Sequence, residues 1–153
     1  MGGQPIARSA SQVTTLAEWA AALRWEDLPP DVIEEAKSQI FSVLGALYAG
    51  IEDPAASKVG RAVVKRGEPG RATIFPGAVA TSATAAVYAH AARTMALDFD
   101  DYLFCGHTGH SAVLVPMAIA EAEGRDGRAW ILAQILANEI EGRLGAAALV
   151  GPL

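Results

Sequence analysis

The chain has 153 residues, enough for one domain with a sizeable core. Its formal charge of −5 at pH 7 and its pI near 5.1 argue against a nucleic-acid partner, because phosphate binding needs clustered lysine and arginine. Hydrophobic residues make up 52% and charged residues 19%, so some apolar surface is expected to pack against another subunit or chain. The one cysteine rules out an internal disulfide framework and fits a reducing compartment. No apolar run reaches the ~18 residues that suggest a membrane span. The first residues lack the basic region and apolar core of a signal peptide. The expected location is the cytoplasm, with no membrane association.

The pattern is helical nearly throughout, which predicts an all-α, bundle-like domain of about six helices over residues 14–153, preceded by a flexible lead-in at 1–13. Thr15-Leu16-Ala17-Glu18 has the form of a capping box, after which Leu16, Trp19, Ala20 and Leu23 share a face. Leu28-Pro29-Pro30-Asp31 punctuates, and Pro30 suits the first turn of a second helix. That helix carries Val32, Ala36, Ile40, Val43, Leu44 and Leu47 at helical spacing up to Gly50. Asp53-Pro54 opens a third, with Val59, Ala62 and Val63 inward and Gly67 ending it. Residues 72–75 read as a short extended piece. A fourth helix, rich in alanine, is expected from about Thr81 to Leu97; its small residues allow close approach, so it should be central. A fifth begins near Ser111, with Pro116 implying a kink or a late start. Asp126 caps a sixth, bearing Trp130, Ile131, Ile135, Ile140 and Leu144. The apolar end, Leu144 to Leu153, reads as if more polypeptide, or a second chain, should cover it.

Between the fourth and fifth helices lies the stretch that suggests chemistry. Asp98, Asp100 and Asp101 are followed by Tyr102, Cys105, Gly106, His107, Gly109 and His110. Carboxylates are disfavoured at a helix C-terminus, where the macrodipole is negative, so three of them there need another reason. In an extended loop Asp98 and Asp100 would point one way and Asp101 the other. Histidine takes or gives a proton near neutrality, and a neighbouring aspartate can fix its tautomer and stabilise the imidazolium. His107 and His110 are therefore catalytic bases, metal ligands or structural histidines. Tyr102 would donate a hydrogen bond to a substrate or simply pack. Gly109 and Gly106 would let backbone amides approach an anionic group. Cys105 is a nucleophile beside histidine or a buried bystander. His90, mid-helix on an alanine face, is a core histidine with one partner or a wall of the site. Glu139 and Arg143 form an intrahelical pair.

At these residues the chain resembles the N-terminal part of the MmgE/PrpD family, which includes 2-methylcitrate dehydratases, cis-aconitate decarboxylases and iminodisuccinate epimerase. The likeness runs through Leu28-Pro29-Pro30-Asp31-Val32, Leu44 to Gly50, Ala96-Leu97-Asp98-Phe99-Asp100-Asp101, Val115 to Gly124, and Asn138 to Gly145. It implies a mostly helical domain joined in the family to a smaller α/β lid domain, a metal-free active site between them without cofactor, and usually homodimers. Asp98 corresponds to the first aspartate of the family signature. Tyr102 stands where threonine often follows the acidic pair, and His90 replaces a common asparagine. His107 and His110 both remain open as the family's loop histidine. Family members are much longer, and the missing part would carry the lid and further histidine, lysine and tyrosine groups.

The function expected from residues and resemblance together is a subunit or half of a lyase or isomerase acting on a carboxylate-bearing small molecule. Asp98, His107 and His110 are its catalytic candidates; Tyr102, Gly109 and His90 are its substrate-binding candidates. A second chain would supply the lid, in an oligomer. Two other readings stand beside it: a non-catalytic scaffold subunit of the same fold, and a metal-dependent hydrolase using His107, His110 and Asp98.

Overall fold

The computed structural model describes residues 11–104 and 106–150. Residues 1–10 of the expected lead-in, Cys105, and residues 151–153 of the apolar end lie outside them. Six α-helices and two small two-stranded antiparallel sheets make up the described fold, which is mostly helical. The helices are α1 (Gln12–Ala22), α2 (Pro30–Ala49), α3 (Pro54–Arg66), α4 (Ala83–Thr94), α5 (Leu114–Glu123) and α6 (Gly127–Val150). Strands β1 (Ala72–Ile74) and β2 (Val79–Thr81) precede α4, and β3 (Tyr102–Leu103) and β4 (Gly106–His107) follow it.

Local signals set several boundaries. Pro30 is the first residue of α2, where a missing N–H costs nothing. Asp53 caps α3 through hydrogen bonds from the Ala55 and Ala56 amides, at 2.9 and 2.8 Å. Gly67 closes α3, and Gly124 closes α5, in the left-handed conformation that glycine adopts without strain. Asp126 accepts from the Ala129 amide at 3.0 Å at the start of α6.

Four boundaries differ from the pattern. α1 starts at Gln12, because Ser11 accepts the Thr14 amide at 3.2 Å and so caps the helix ahead of Thr15. Val79–Thr81 pairs with the expected extended piece as a hairpin, in the register Ala72 to Thr81 and Ile74 to Val79. α4 is therefore shifted; Ser82 caps it and it ends at Thr94, where i→i+3 bonds from Ala96 to Arg93 and from Asp98 to Met95 tighten the chain. A π-helical turn over Gly109–Val113 delays α5 to Leu114. Pro116 then falls in the first turn of α5, the part of a helix that best tolerates proline.

The alanine-rich α4 is central, packing on α2, α3, α5 and β1. Ala85, Ala86 and Ala89 meet Val63, Ile74 and Ala118 in one apolar cluster. Val43 and Leu47 of α2 meet Val113 and Leu114 in another. On α3 the inward face is Ala56, Gly60 and Val63, whereas Ala62 is exposed. Gln134 of α6 is fully buried and donates to the Ala36 carbonyl at 3.0 Å, tying α6 to α2. Among the described residues, no helix is long and apolar enough to cross a membrane.

Candidate active site

The loop leaving α4 is a folded platform. Tyr102 pairs with His107 and Leu103 with Gly106 across β3 and β4. The Thr108 amide donates to the Asp101 carbonyl at 3.1 Å, and the Ala112 amide to the Thr108 carbonyl at 2.7 Å, which joins the hairpin to the π-helical turn. Ser42 of α2 donates to Asp101 Oδ1 at 3.3 Å, so Asp101 faces α2. The ligand oxygens of Asp98 and Asp100 lie with a His107 ring nitrogen within 4.8 Å of one another. This is the split that strand-like alternation predicts.

The carboxylate of Asp100 has no exposed surface, and its Oδ2 lies 2.9 Å from His107 Nδ1. His110 Nδ1 stands 3.9 Å from the same oxygen, beyond hydrogen-bond reach. A carboxylate oxygen accepts, so in the neutral ring this bond is made by the tautomer that carries its proton on Nδ1 and its lone pair on Nε2. Asp100 Oδ1 and His110 Nδ1 are both buried without a partner. Tyr102 meets the His107 ring edge-on at 5.2 Å.

The sequence-derived candidates divide accordingly. Asp100, and not Asp98, is hydrogen-bonded to the imidazole; Asp98 is exposed, at the left-handed φ of 56°. His107, His110 and Tyr102 are brought together around Asp100. Gly109 is buried, and a Cβ there would lie 2.8 Å from Val43 Cγ2 and 3.2 Å from the Asp101 amide. Its bareness thus serves the close packing of the turn on α2. Asp98, Asp100 and His107 are also the described group whose donor atoms converge closely enough to hold a metal ion. Cys105 lies outside the described residues.

His90 is placed elsewhere. It is 1% exposed, its Nε2 accepts the Phe75 amide at 2.9 Å, and its Nδ1 is buried without a partner. It lines a cavity of about 730 Å³ between α2, α5 and the start of α6, whose walls include none of the loop carboxylates or His107 and His110. Burial, then the nearby Arg93 charge, push its pKa down to about 4, against an opposing pull from Glu121. The sign follows. Between pH 6.5 and 4 the unfolded chain takes up a proton that folded His90 refuses, so stability falls as pH drops through that window. The expected loss is on the order of 2 kcal/mol after allowance for screening. Chemical denaturation at pH 7 and pH 4.5 measures it, and His90→Gln is expected to flatten that part of the profile. An unchanged profile in the variant would assign the loss to other groups.

The chain is similar to cis-aconitate decarboxylase of Aspergillus terreus, with 27% identity over 139 residues that cover 86% of this chain and 28% of that protein. The match to the protein of strain NIH 2624 has the same extent. The chain thus spans 28% of the length of the curated relatives it matches. No solved structure matches it. The MmgE/PrpD N-terminal domain matches residues 14–151, which is nearly the whole chain and includes every loop residue described above, and the chain therefore belongs to the MmgE/PrpD family.

Proposed function

We propose that this chain supplies the acid–base part of an active site in a lyase or isomerase acting on a carboxylate-bearing small molecule. The observation that carries the reading is the enclosed Asp100 carboxylate bonded to His107 Nδ1. It leaves His107 Nε2 as a base held in one tautomer. The step is proton abstraction from a carbon next to a carboxylate or carbonyl. The C–H electron pair then forms a double bond as a neighbouring hydroxyl takes the proton now on His107 Nε2 and leaves as water, or it takes up a proton delivered on the opposite face by an acid of the segment that completes the site. Run with His107 protonated, the same geometry delivers a proton to the carbon that loses CO2. Tyr102, beside the ring, helps hold the substrate. Membership in a family of dehydratases and decarboxylases supports the substrate class.

We also infer that another polypeptide segment or chain completes the site, in an oligomer. The sequence has no lysine or arginine between Arg93 and Arg125, so the loop itself brings no counter-charge for a di- or tricarboxylate. Phe99, Tyr102 and Phe104 are 62%, 65% and 48% exposed around the loop, an apolar rim suited to being covered.

The test uses the assembled protein. With cis-aconitate and related carboxylates as substrates, His107→Ala is expected to lower turnover by about a hundredfold or more. His110→Ala is expected to lower it less. Turnover left intact by both, singly and together, would remove the acid–base reading. A stoichiometric assembly with no turnover of any carboxylate would favour the non-catalytic scaffold.

A further inference from the structure

A second charged site lies away from the loop. Arg61 and Lys65, one turn apart on α3, and Arg93, in the last turn of α4, line one cavity of about 450 Å³ beside the β1–β2 turn. Ser57 and a single carboxylate, Glu52, share its walls. Among the described residues none of the three cations is in an ion pair. Three of the 12 lysines and arginines of an acidic chain are thus gathered and left without neutralisation, although like charges at such spacing repel.

Arg93 is held in place. Its Nη1 donates to the Phe75 carbonyl, and its Nε is buried without a partner. Gly60 makes the room, since a Cβ there would lie 2.8 Å from Nη2. A guanidinium offers five N–H donors, and the bond to Phe75 uses one. That bond explains why an arginine staples the hairpin to α4. It does not explain why Arg61 and Lys65 open onto the same cavity. Burial also pulls the Arg93 pKa below its ordinary value, as it does for a cation whose lost hydration no paired anion replaces.

We propose that this cavity binds a small multiply charged oxyanion through its phosphate or carboxylate group. Arg93 is the fixed fork, and Arg61 and Lys65 are the flanking charges. Guanidinium matches the spacing of two oxygens on such a group, and the volume admits a small metabolite. The site is independent of the acid–base reading and stands or falls without it.

Isothermal titration and thermal unfolding of the full chain with inorganic phosphate, and separately with citrate, provide the test, at an ionic strength fixed with sodium chloride. Saturable binding with a matching rise in melting temperature is expected for at least one probe. Arg61→Gln/Lys65→Gln changes two exposed side chains, and Arg61→Gln one. Each is expected to keep the parent fold by circular dichroism, and the double variant to bind at least about tenfold more weakly. Binding of phosphate alone assigns a phosphate group, citrate alone a carboxylate, and both a general oxyanion site. A stabilisation that chloride reproduces, or an affinity unchanged in both variants, overturns the proposal.

Discussion

Gly50→Ala is expected to destabilise the protein by about 3 kcal/mol, the range of a backbone clash in a packed core. Gly50 caps α2 at φ −81° and ψ 2°, a conformation open to any L-residue, so backbone freedom is not what requires glycine. The requirement is contact. A Cβ at Gly50 would lie 1.9 Å from the Arg93 carbonyl oxygen, 2.8 Å from its carbon and 3.2 Å from its Cα. All three atoms belong to the backbone of the last turn of α4, so no rotamer change relieves them. The end of α2 would have to withdraw from α4, which is the central helix. For a chain of this length the melting temperature is expected to fall by roughly 6–12 °C. Gly45→Ala is the internal control. It lies in the same helix, is exposed, and a Cβ there would meet nothing within 4 Å, so the variant is expected to gain roughly 0.5–1 kcal/mol from helix propensity. Similar melting temperatures for the two variants would show that the α2–α4 crossing yields more readily than this geometry requires.

The end of α2 and the helix that follows it differ in how far the sequence reveals them. α3 is legible end to end, because Asp53 and Gly67 are signals that act within a turn of where they sit. The contact of Gly50 with Arg93 joins positions 43 apart, and no local pattern encodes it. The hairpins escape for another reason: strands of two or three residues are too short to display alternation. At the loop, residue types alone point to an acid–imidazole site, and alternation puts Asp98 and Asp100 on one side. Which carboxylate is enclosed depends on the turn at the end of α4 and the left-handed Asp98, so the family resemblance singles out the first aspartate while the hydrogen bond belongs to the second, Asp100. His90 reads equally as core or wall from its alanine neighbours, and it proves buried at a cavity remote in composition from the loop.

On the proposed acid–base reading, Asp100→Asn is expected to lower kcat of the completed assembly by about a thousandfold with a smaller change in KM, the pattern of an interaction that matters in the transition state. The carboxylate does two things at 2.9 Å from His107 Nδ1. In that reading it keeps the proton on that nitrogen, which leaves Nε2 basic, and it stabilises the imidazolium formed when Nε2 takes a proton. An asparagine that presents its NH₂ to the ring reverses the tautomer and places the proton on Nε2, where the base is needed. One that presents its oxygen keeps the tautomer but lacks the charge. Loss of fold is not the expected cause, because a neutral amide costs less to enclose than a carboxylate whose Oδ1 has no partner; the variant should melt near the parent. Asp98→Asn supplies the comparison. Asp98 is exposed at φ 56°, a conformation asparagine tolerates, and its removal leaves the Asp100–His107 bond intact, so its effect on kcat should be much the smaller. The opposite ranking, with Asp98→Asn the more damaging, would mean that Asp98 moves onto the imidazole when the site is completed, and would return the orienting role to the first aspartate of the motif.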